Sequence, residues 1–423
     1  MFKQFGVYRA ETTEEMADIA YVCQFGRYPS GPKIGLQTIS GGIGVQLADA
    51  ATKYGFDVKP LPKTTQDKIL NLIPFAGVNN PIDFTGQVLN ERKLLEESMR
   101  HVINEADYDS QILYLASLPI SQFTKDISLE IFTSLRKQYP DELMILSLIG
   151  PPEARASYEA LGYPCFEDHS LAVRAMAALR YFGEVFKKEE TASATVIGEK
   201  PVLTKGQKIS EFEAKKIFST AGMPITLETL AQTSDEAIGF WKKIKKPVVL
   251  KISSPDLQHK TDIGGVILDL DDERDIQENF EKLSKLGKAN SIKNDIEGII
   301  VSEMVDNGVE TVLGVVNDPV FGPTIMFGLG GVFVEVLKDV SFRVAPFDVK
   351  EARMMIDEIR GRAILDGVRG APPSDIEALA ESLSQLSLFA LINAENLSSV
   401  DLNPLIVLPK GTKIVDALII TNN

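Results

Sequence analysis

The chain has 423 residues, 44 of them basic and 59 acidic, for a net charge of −15. That length is too great for one ordinary core and predicts two or three domains, while the acidic balance argues against a nucleic-acid groove or an anionic membrane surface as the main partner. Cys23 and Cys165 fit neither metal spacing nor a disulfide framework, which points to a reducing cytoplasm. The N-terminus lacks signal-peptide order, and the longest apolar stretch, GPTIMFGLGGVFVEVLK, is broken by glycines and Glu335 and reads as buried sheet.

Residues 1–29 read as a connecting segment. From Lys33, strand-like runs alternate with helical ones: KIGLQTIS, then GGIGVQLADAATKYG, SQILYLAS over 110–117 and ELMILSLIG over 142–150. Such alternation implies a parallel sheet with helices on both faces. The helical spacing of SLAVRAMAALRYFGEVFKK, 170–188, closes an α/β domain over 30–186. A polar, aperiodic stretch containing Pro201 predicts a linker over 187–205. The second unit, 206–423, opens on ISEFEAKKIFSTAGMPI, where Ser210 caps a helix carrying Glu211 and Glu213 in its first turn and Gly222 and Pro224 stop it. Runs at 296–305, 310–318 and 323–330 predict strands, the last two joined through NDPVFG, so an α+β domain is expected.

Residues that carry chemistry fall at the ends of these elements. In QTISGGIGVQLADAA a strand ends at Ile39, Ser40, Gly41, Gly42 and Gly44 turn the chain, and a helix starts near Val45. Glycines let amides approach an anion, and a helix N-terminus adds N–H donors and the positive end of its dipole. The turn is a candidate phosphate cradle or a tight turn with no ligand, and it matches neither the dinucleotide nor the P-loop pattern. The polar loop GVNNPIDFTGQ, 77–87, which contains Asp83, is expected to face the same crevice.

In the second unit Lys251 ends the strand KKPVVLK, where an ammonium meets phosphates as a point charge. Glu303, Met304 and Val305 offer a strand edge that can read an adenine. Phe327 to Gly331, with Gly330 and Gly331, can lie close to phosphates. Arg343 is a candidate anion contact, with a surface salt bridge as its alternative. In SVDLNPLIV, Asp401 and Asn403 project to one face, and Asp416 in TKIVDALII is expected on the partner strand. A carboxylate and an amide carbonyl, completed by phosphate and water oxygens, suit octahedral Mg²⁺; two buried polar side chains bonded to a turn are the alternative. Of the three histidines, His101 lies in a helical pattern and His169 at a helix start, which fits surface or capping roles. His259 lies between Lys251 and the Gly264-Gly265 pair, close to the expected phosphates, where imidazole can accept a phosphoryl group or simply hydrogen-bond the triphosphate.

These motifs, in this order, resemble the NDP-forming acyl-CoA synthetases, the family of ADP-forming acetate–CoA ligase and succinyl-CoA synthetase. Residues 206–423 resemble its ATP-grasp portion through VVLKISSPDLQHKTDIGGV, GVETVLGVVNDPVFGPTIMFGLGGVFVEVLKDVSFRVAP, GVRGAPP and VDLNPLIV. Residues 30–186 resemble its flavodoxin-like domain through ISGGIGVQLADA and NNPIDFTG. The resemblance implies that a small carboxylic acid, CoA and ATP (or GTP) interconvert with acyl-CoA, ADP (or GDP) and phosphate, through an acyl phosphate and a phosphohistidine. It implies that Lys251 holds nucleotide phosphates, Glu303 and Val305 the base, and Asn403 and Asp416 the Mg²⁺. Asp401 would orient an incoming histidine, the Gly41 to Gly44 turn would offer its helix N-terminus to the phosphoryl group, and His259, in HKTDIGG, would be a second phosphocarrier. No stretch matches the family's CoA-binding domain or the domain bearing its first catalytic histidine, so the resemblance implies the nucleotide-binding subunit or a C-terminal portion of such a ligase, and a partner chain carrying both domains, in a hetero-oligomer, is expected. A module that senses nucleotide or acyl phosphate without catalysis, and an ATP-grasp ligase joining an acid to an amine, are the alternatives; the second leaves the flavodoxin-like domain without a role.

Overall fold

The computed structural model describes residues 1–89, 92–187, 201–257, 260, 263–290, 296–331, 334, 336–368 and 370–423, so most of the expected linker lies outside the described residues. Two compact units are present, Phe2–Glu189 and Glu190–Asn423.

The first unit is built on five parallel strands: β1 (Ile34–Thr38), β2 (Ile82–Asp83), β3 (Ser110–Ala116), β4 (Met144–Leu148) and β5 (Cys165–Phe166). Every residue of β1 and β4 is buried, and because strand side chains alternate between faces, both faces of the sheet must be covered. Along β3, Ile112 and Tyr114 join a core with Val22 of α1 (Thr13–Cys23), Leu47 of α2 (Gly41–Lys53) and Met176 of α7 (His169–Lys187). Leu113 and Leu115 enter the opposite core with Ile69 of α3 (Lys63–Leu72), Met99 of α4 (Arg92–Glu105), Phe132 of α5 (Lys125–Gln138) and Tyr158 of α6 (Pro152–Glu159). The strand order β2-β1-β3-β4-β5 is that of a flavodoxin-like sheet, in which a crevice opens at the C-terminal ends of β1 and β3. At that edge of β1, α2 comes close: a Cβ on Gly44 would lie 3.2 Å from Thr38 Cγ2 and 3.3 Å from Pro81 Cβ, so only glycine fits without displacement.

The second unit is antiparallel. A small sheet of order β6-β9-β7-β8 contains β6 (Glu228–Ala231), β7 (Val248–Ser253), β8 (Val266–Leu270) and β9 (Gly298–Glu303). Its inner face, with Val248, Leu250, Ile252 and Val301, packs on Ala237 of α9 (Ser234–Ile244) and on Ile276 and Phe280 of α10 (Glu273–Asn290). The larger sheet has the order β12-β11-β10-β13-β14: β10 (Val309–Asp318), β11 (Gly322–Leu329), β12 (Val340–Val344), β13 (Leu397–Val407) and β14 (Thr412–Ile414), with β15 (Leu418–Thr421) also paired to β13. Leu313, Ile325, Phe327 and Leu402 carry its core against Phe218 of α8 (Glu211–Thr220), Met355 of α11 (Val349–Asp357) and Leu383 of α12 (Ile376–Ile392). Ser210 caps α8 as expected, its hydroxyl accepting from Glu213 N. The stretch GPTIMFGL is strand β11, and among the described residues no helix is long and apolar enough to cross a membrane.

One expectation is corrected. TKIVDALII is two strands, and Val415 to Ala417 leave the ladder between them. The cause lies on β13: Val415 N donates to Pro404 O at 3.0 Å, but proline has no N–H to return the bond, so the Val415 carbonyl is released from the sheet.

Candidate nucleotide and metal site

That released carbonyl lies where the two sheets of the second unit meet. It accepts from Lys251 Nζ, at the end of β7, at 2.9 Å and from Lys215 Nζ, on α8, at 3.3 Å. Two residues back, Lys413 pairs with Glu303 at the end of β9, whose carboxylate also accepts from Leu227 N at 2.9 Å and lies 3.8 Å from Lys246 Nζ. Burial would raise the Glu303 carboxyl, but the Leu227 amide and the two lysines overcome it and hold it below the ordinary glutamate value. One residue on, Asp416 Oδ2 stands 3.6 Å from Lys251 Nζ. Residues 413–416 therefore bring the expected base, phosphate and metal residues into one run.

The register is the same on both sides of the break, with Leu405 opposite Ile414 and Asp401 opposite Leu418, which sets Asn403 opposite Asp416. Asp401 and Asn403, two residues apart on β13, share one exposed face, and Asp416 lies close enough for its charge to act on Asp401. Asp401 and Asn403 are exposed and the Asp416 side chain is 44% exposed, so these are not the buried acids that the apolar neighbours suggested. The Asp401 carboxyl is pushed up, by partial desolvation and then by the Asp416 charge. Oxygen donors only, two of them mutually repelling carboxylates, fit a hard divalent cation. Among the described residues no three His, Cys, Asp or Glu side chains form a metal-holding group, so such an ion would take most of its shell from phosphate and water.

Sequence reasoning missed the depth of the charge cluster behind this face. Lys251, Lys215 and Lys260 are all buried, and all three reach Glu211, itself buried at the start of α8. Lys215 also pairs with Glu228. Burial would raise the Glu211 carboxyl; Lys251, Lys215 and Lys260 overcome it and hold it far below the ordinary range. Burial likewise opposes the Lys251 ammonium, which Glu211 and then Asp416 nevertheless push up. The Glu211–Lys215 spacing of one helical turn was the only local signal.

Other expected residues stand apart. Arg343 is buried in a cage of acids: Nε donates to Glu351 at 2.6 Å, both terminal nitrogens donate to Glu358 at 2.9 Å, and one also donates to the Phe342 carbonyl. With four of its five N–H donors so engaged, the guanidinium is a buried ion pair rather than the surface salt bridge considered above. Gly330 N donates to Glu310 O at 2.8 Å, and Gly331, at φ 61°, turns the chain in the left-handed region with open space where a Cβ would be. Val305 follows the end of β9. His259 lies outside the described residues. In the first unit, Ser40 precedes α2, and Ile43 N and Gly44 N bond to Ser40 O, leaving the Gly41 and Gly42 amides with no intrahelical acceptor. A Cβ on Gly41 would lie 3.1 Å from Asp83 Oδ2, so Asp83 does face this turn, and a carboxylate already stands against the positive end of the helix. His101 Nδ1 contacts Glu105 Oε1 at 2.9 Å and His169 Nε2 contacts Gln46 Oε1 at 2.7 Å, both ordinary polar contacts.

Residues 202–421 match the model of an ATP-grasp domain family. The ADP-forming acetate–CoA ligase I of Archaeoglobus fulgidus is 33% identical over 429 residues, covering 98% of this chain and 60% of that protein. The beta subunit of ADP-forming acetate–CoA ligase I of Pyrococcus furiosus is 38% identical over 232 residues, covering 55% of this chain and 99% of the subunit. The alpha subunit of that ligase is 28% identical over 184 residues, covering 42% of this chain and 38% of the subunit. The chain thus spans about 60% of the length of the Archaeoglobus relative. With an ATP-grasp domain over its second unit and a match to nearly the whole of a beta subunit, the chain belongs to the ADP-forming acetate–CoA ligase family.

Proposed function

We propose that this chain is the nucleotide-binding part of an ADP-forming acid–CoA ligase, which interconverts a small carboxylic acid, CoA and ATP with acyl-CoA, ADP and phosphate. The observation that carries this reading is the run 413–416, where Glu303, Lys251 and Asp416 meet. On this reading Glu303 and Val305 hold the base, Lys251 the phosphates, and Gly330 and Gly331 leave room for them. Asn403 and Asp416 hold Mg²⁺, which would offset phosphate charge there. Asp401 orients an incoming histidine. His259 accepts a phosphoryl group and passes it to ADP, and the Gly41 to Gly44 turn receives the phosphoryl group at the other end of its path. Arg343 remains outside this set, since its donors are spent on Glu351 and Glu358.

The Pyrococcus ligase is divided into alpha and beta subunits, and only part of the alpha subunit has its counterpart here. On the pattern of that alpha and beta division, we propose that a partner chain in a hetero-oligomer supplies the CoA-binding domain and the first catalytic histidine. Two cysteines without a disulfide fit a reducing cytoplasm. The test is reconstitution with a protein that carries those two domains, assayed with a panel of acids, CoA and Mg-ATP. Acyl-CoA and ADP are expected in equal amounts and only from the mixture. ATP consumption without CoA dependence, or amide formation with an amine, would replace this reading with a carboxylate–amine ligase.

A further inference from the structure

Glu211 divides its two oxygens between lysines from different parts of the chain. Oε1 accepts from Lys251 Nζ at 2.8 Å and Lys215 Nζ at 2.9 Å, and Oε2 accepts from Lys260 Nζ at 2.5 Å. Lys251 ends β7. Lys260 belongs to the segment leading into β8, where its carbonyl accepts from Gly265 N at 2.7 Å. A lysine ammonium on its four-carbon stem is mobile until something fixes it, and fixing it costs rotamer entropy. Glu211 fixes both, from within the protein, one on each oxygen of its carboxyl group. Lys251 gives two of its three N–H groups to Glu211 and to the Val415 carbonyl, and its ammonium lies within 3.6 Å of Asp416.

We propose that Glu211 is a positioning residue for phosphate recognition, holding Lys251 and Lys260 from behind so that their remaining N–H groups clamp the phosphates of a nucleoside di- or triphosphate. The inference rests on the nucleotide reading above and adds Lys260 and Glu211 to it. A carboxylate placed merely to balance buried charge would alter stability without coupling to ligand. A carboxylate placed to face the ligand would repel phosphate, so its removal would tighten binding.

A double-mutant cycle distinguishes these roles, with Mg-ADP and inorganic tripolyphosphate as calorimetric probes. Glu211→Gln keeps shape and removes charge; it is expected to weaken both probes about tenfold, the scale of a charge-assisted hydrogen bond. In a Lys251→Met/Lys260→Met background the same substitution is expected to change affinity by less than about twofold, because the groups it acts through are gone. Equal losses in both backgrounds, or tighter binding in Glu211→Gln, overturn the proposal. If Glu211→Gln does not fold, Lys260→Met alone must weaken tripolyphosphate about tenfold, and unchanged affinity overturns it. Tripolyphosphate binding without Mg-ADP binding would remove the nucleotide and leave the clamp; loss of neither probe in Glu211→Gln and Lys260→Met would leave the nucleotide and remove the clamp. A wild-type chain that binds neither probe removes both.

Discussion

Asp416→Ala separates metal binding from folding because of where the side chain stands. Its carboxylate is 44% exposed and pairs with Lys251 at 3.6 Å, while Lys251 keeps Glu211 and the Val415 carbonyl after the substitution. A partly exposed pair of this kind is worth about 0–1 kcal/mol, so the melting temperature should move little. The metal is another matter. Removing groups that only hold a metal ligand in place costs about 10- to 100-fold in affinity, and a direct ligand in a site with so few protein donors is worth no less. Calorimetry of ADP with Mg²⁺ and with EDTA reads the difference: the wild type should bind Mg-ADP far more tightly than free ADP, and Asp416→Ala should lose about 100-fold of that advantage while its affinity for free ADP changes little. An unaltered Mg²⁺ advantage in the mutant would refute the placement of the ion between Asn403 and Asp416.

Arg343→Met should leave Mg-ADP affinity unchanged and destabilise the chain by about 3–5 kcal/mol in urea, since it removes the cationic half of the buried Arg343–Glu351 ion pair. A large loss of ADP affinity at unaltered stability would return Arg343 to the anion site. Glu211 predicts a pH window: its folded carboxyl is held below the ordinary 4.5, so its stabilisation is present above that value and is lost as pH falls from there through the folded value. Thermal melts should show a gap between wild type and Glu211→Gln that is constant from pH 7 to 5 and closes on further acidification; a gap that widens toward low pH contradicts the sign.

Much of the fold was legible because local signals agreed with tertiary need. The alternation of strand-like runs such as β1 and β4 with helical ones marked a parallel sheet covered on both faces, and Ser210 with acids behind it marked the start of α8. The break between β14 and β15 was not legible in its own strand, where KIVDALII reads as one run; its cause is Pro404 on the neighbouring strand, and only the register joins Pro404 to Val415. Lys251 was recognisable at a strand end, whereas Glu211, Lys215 and Lys260 resembled the ordinary polar face of a helix and a loop. Their burial follows from packing between the two sheets, which periodicity within one segment does not encode. Arg343 misled for the same reason: Glu351 and Glu358, two helical turns apart, form its cage only once α11 lies across β12.

If His259 is the phosphocarrier proposed above, this chain exchanges a phosphoryl group between nucleotide and a histidine of its own, and labelling with γ-labelled ATP and Mg²⁺ tests this most directly. An acid-labile, base-stable label is expected that maps to His259, disappears on addition of ADP with recovery of labelled ATP, and is absent from His259→Ala. Full labelling of His259→Ala, or a label that maps to another residue, would contradict it and leave His259 as a binding residue at most.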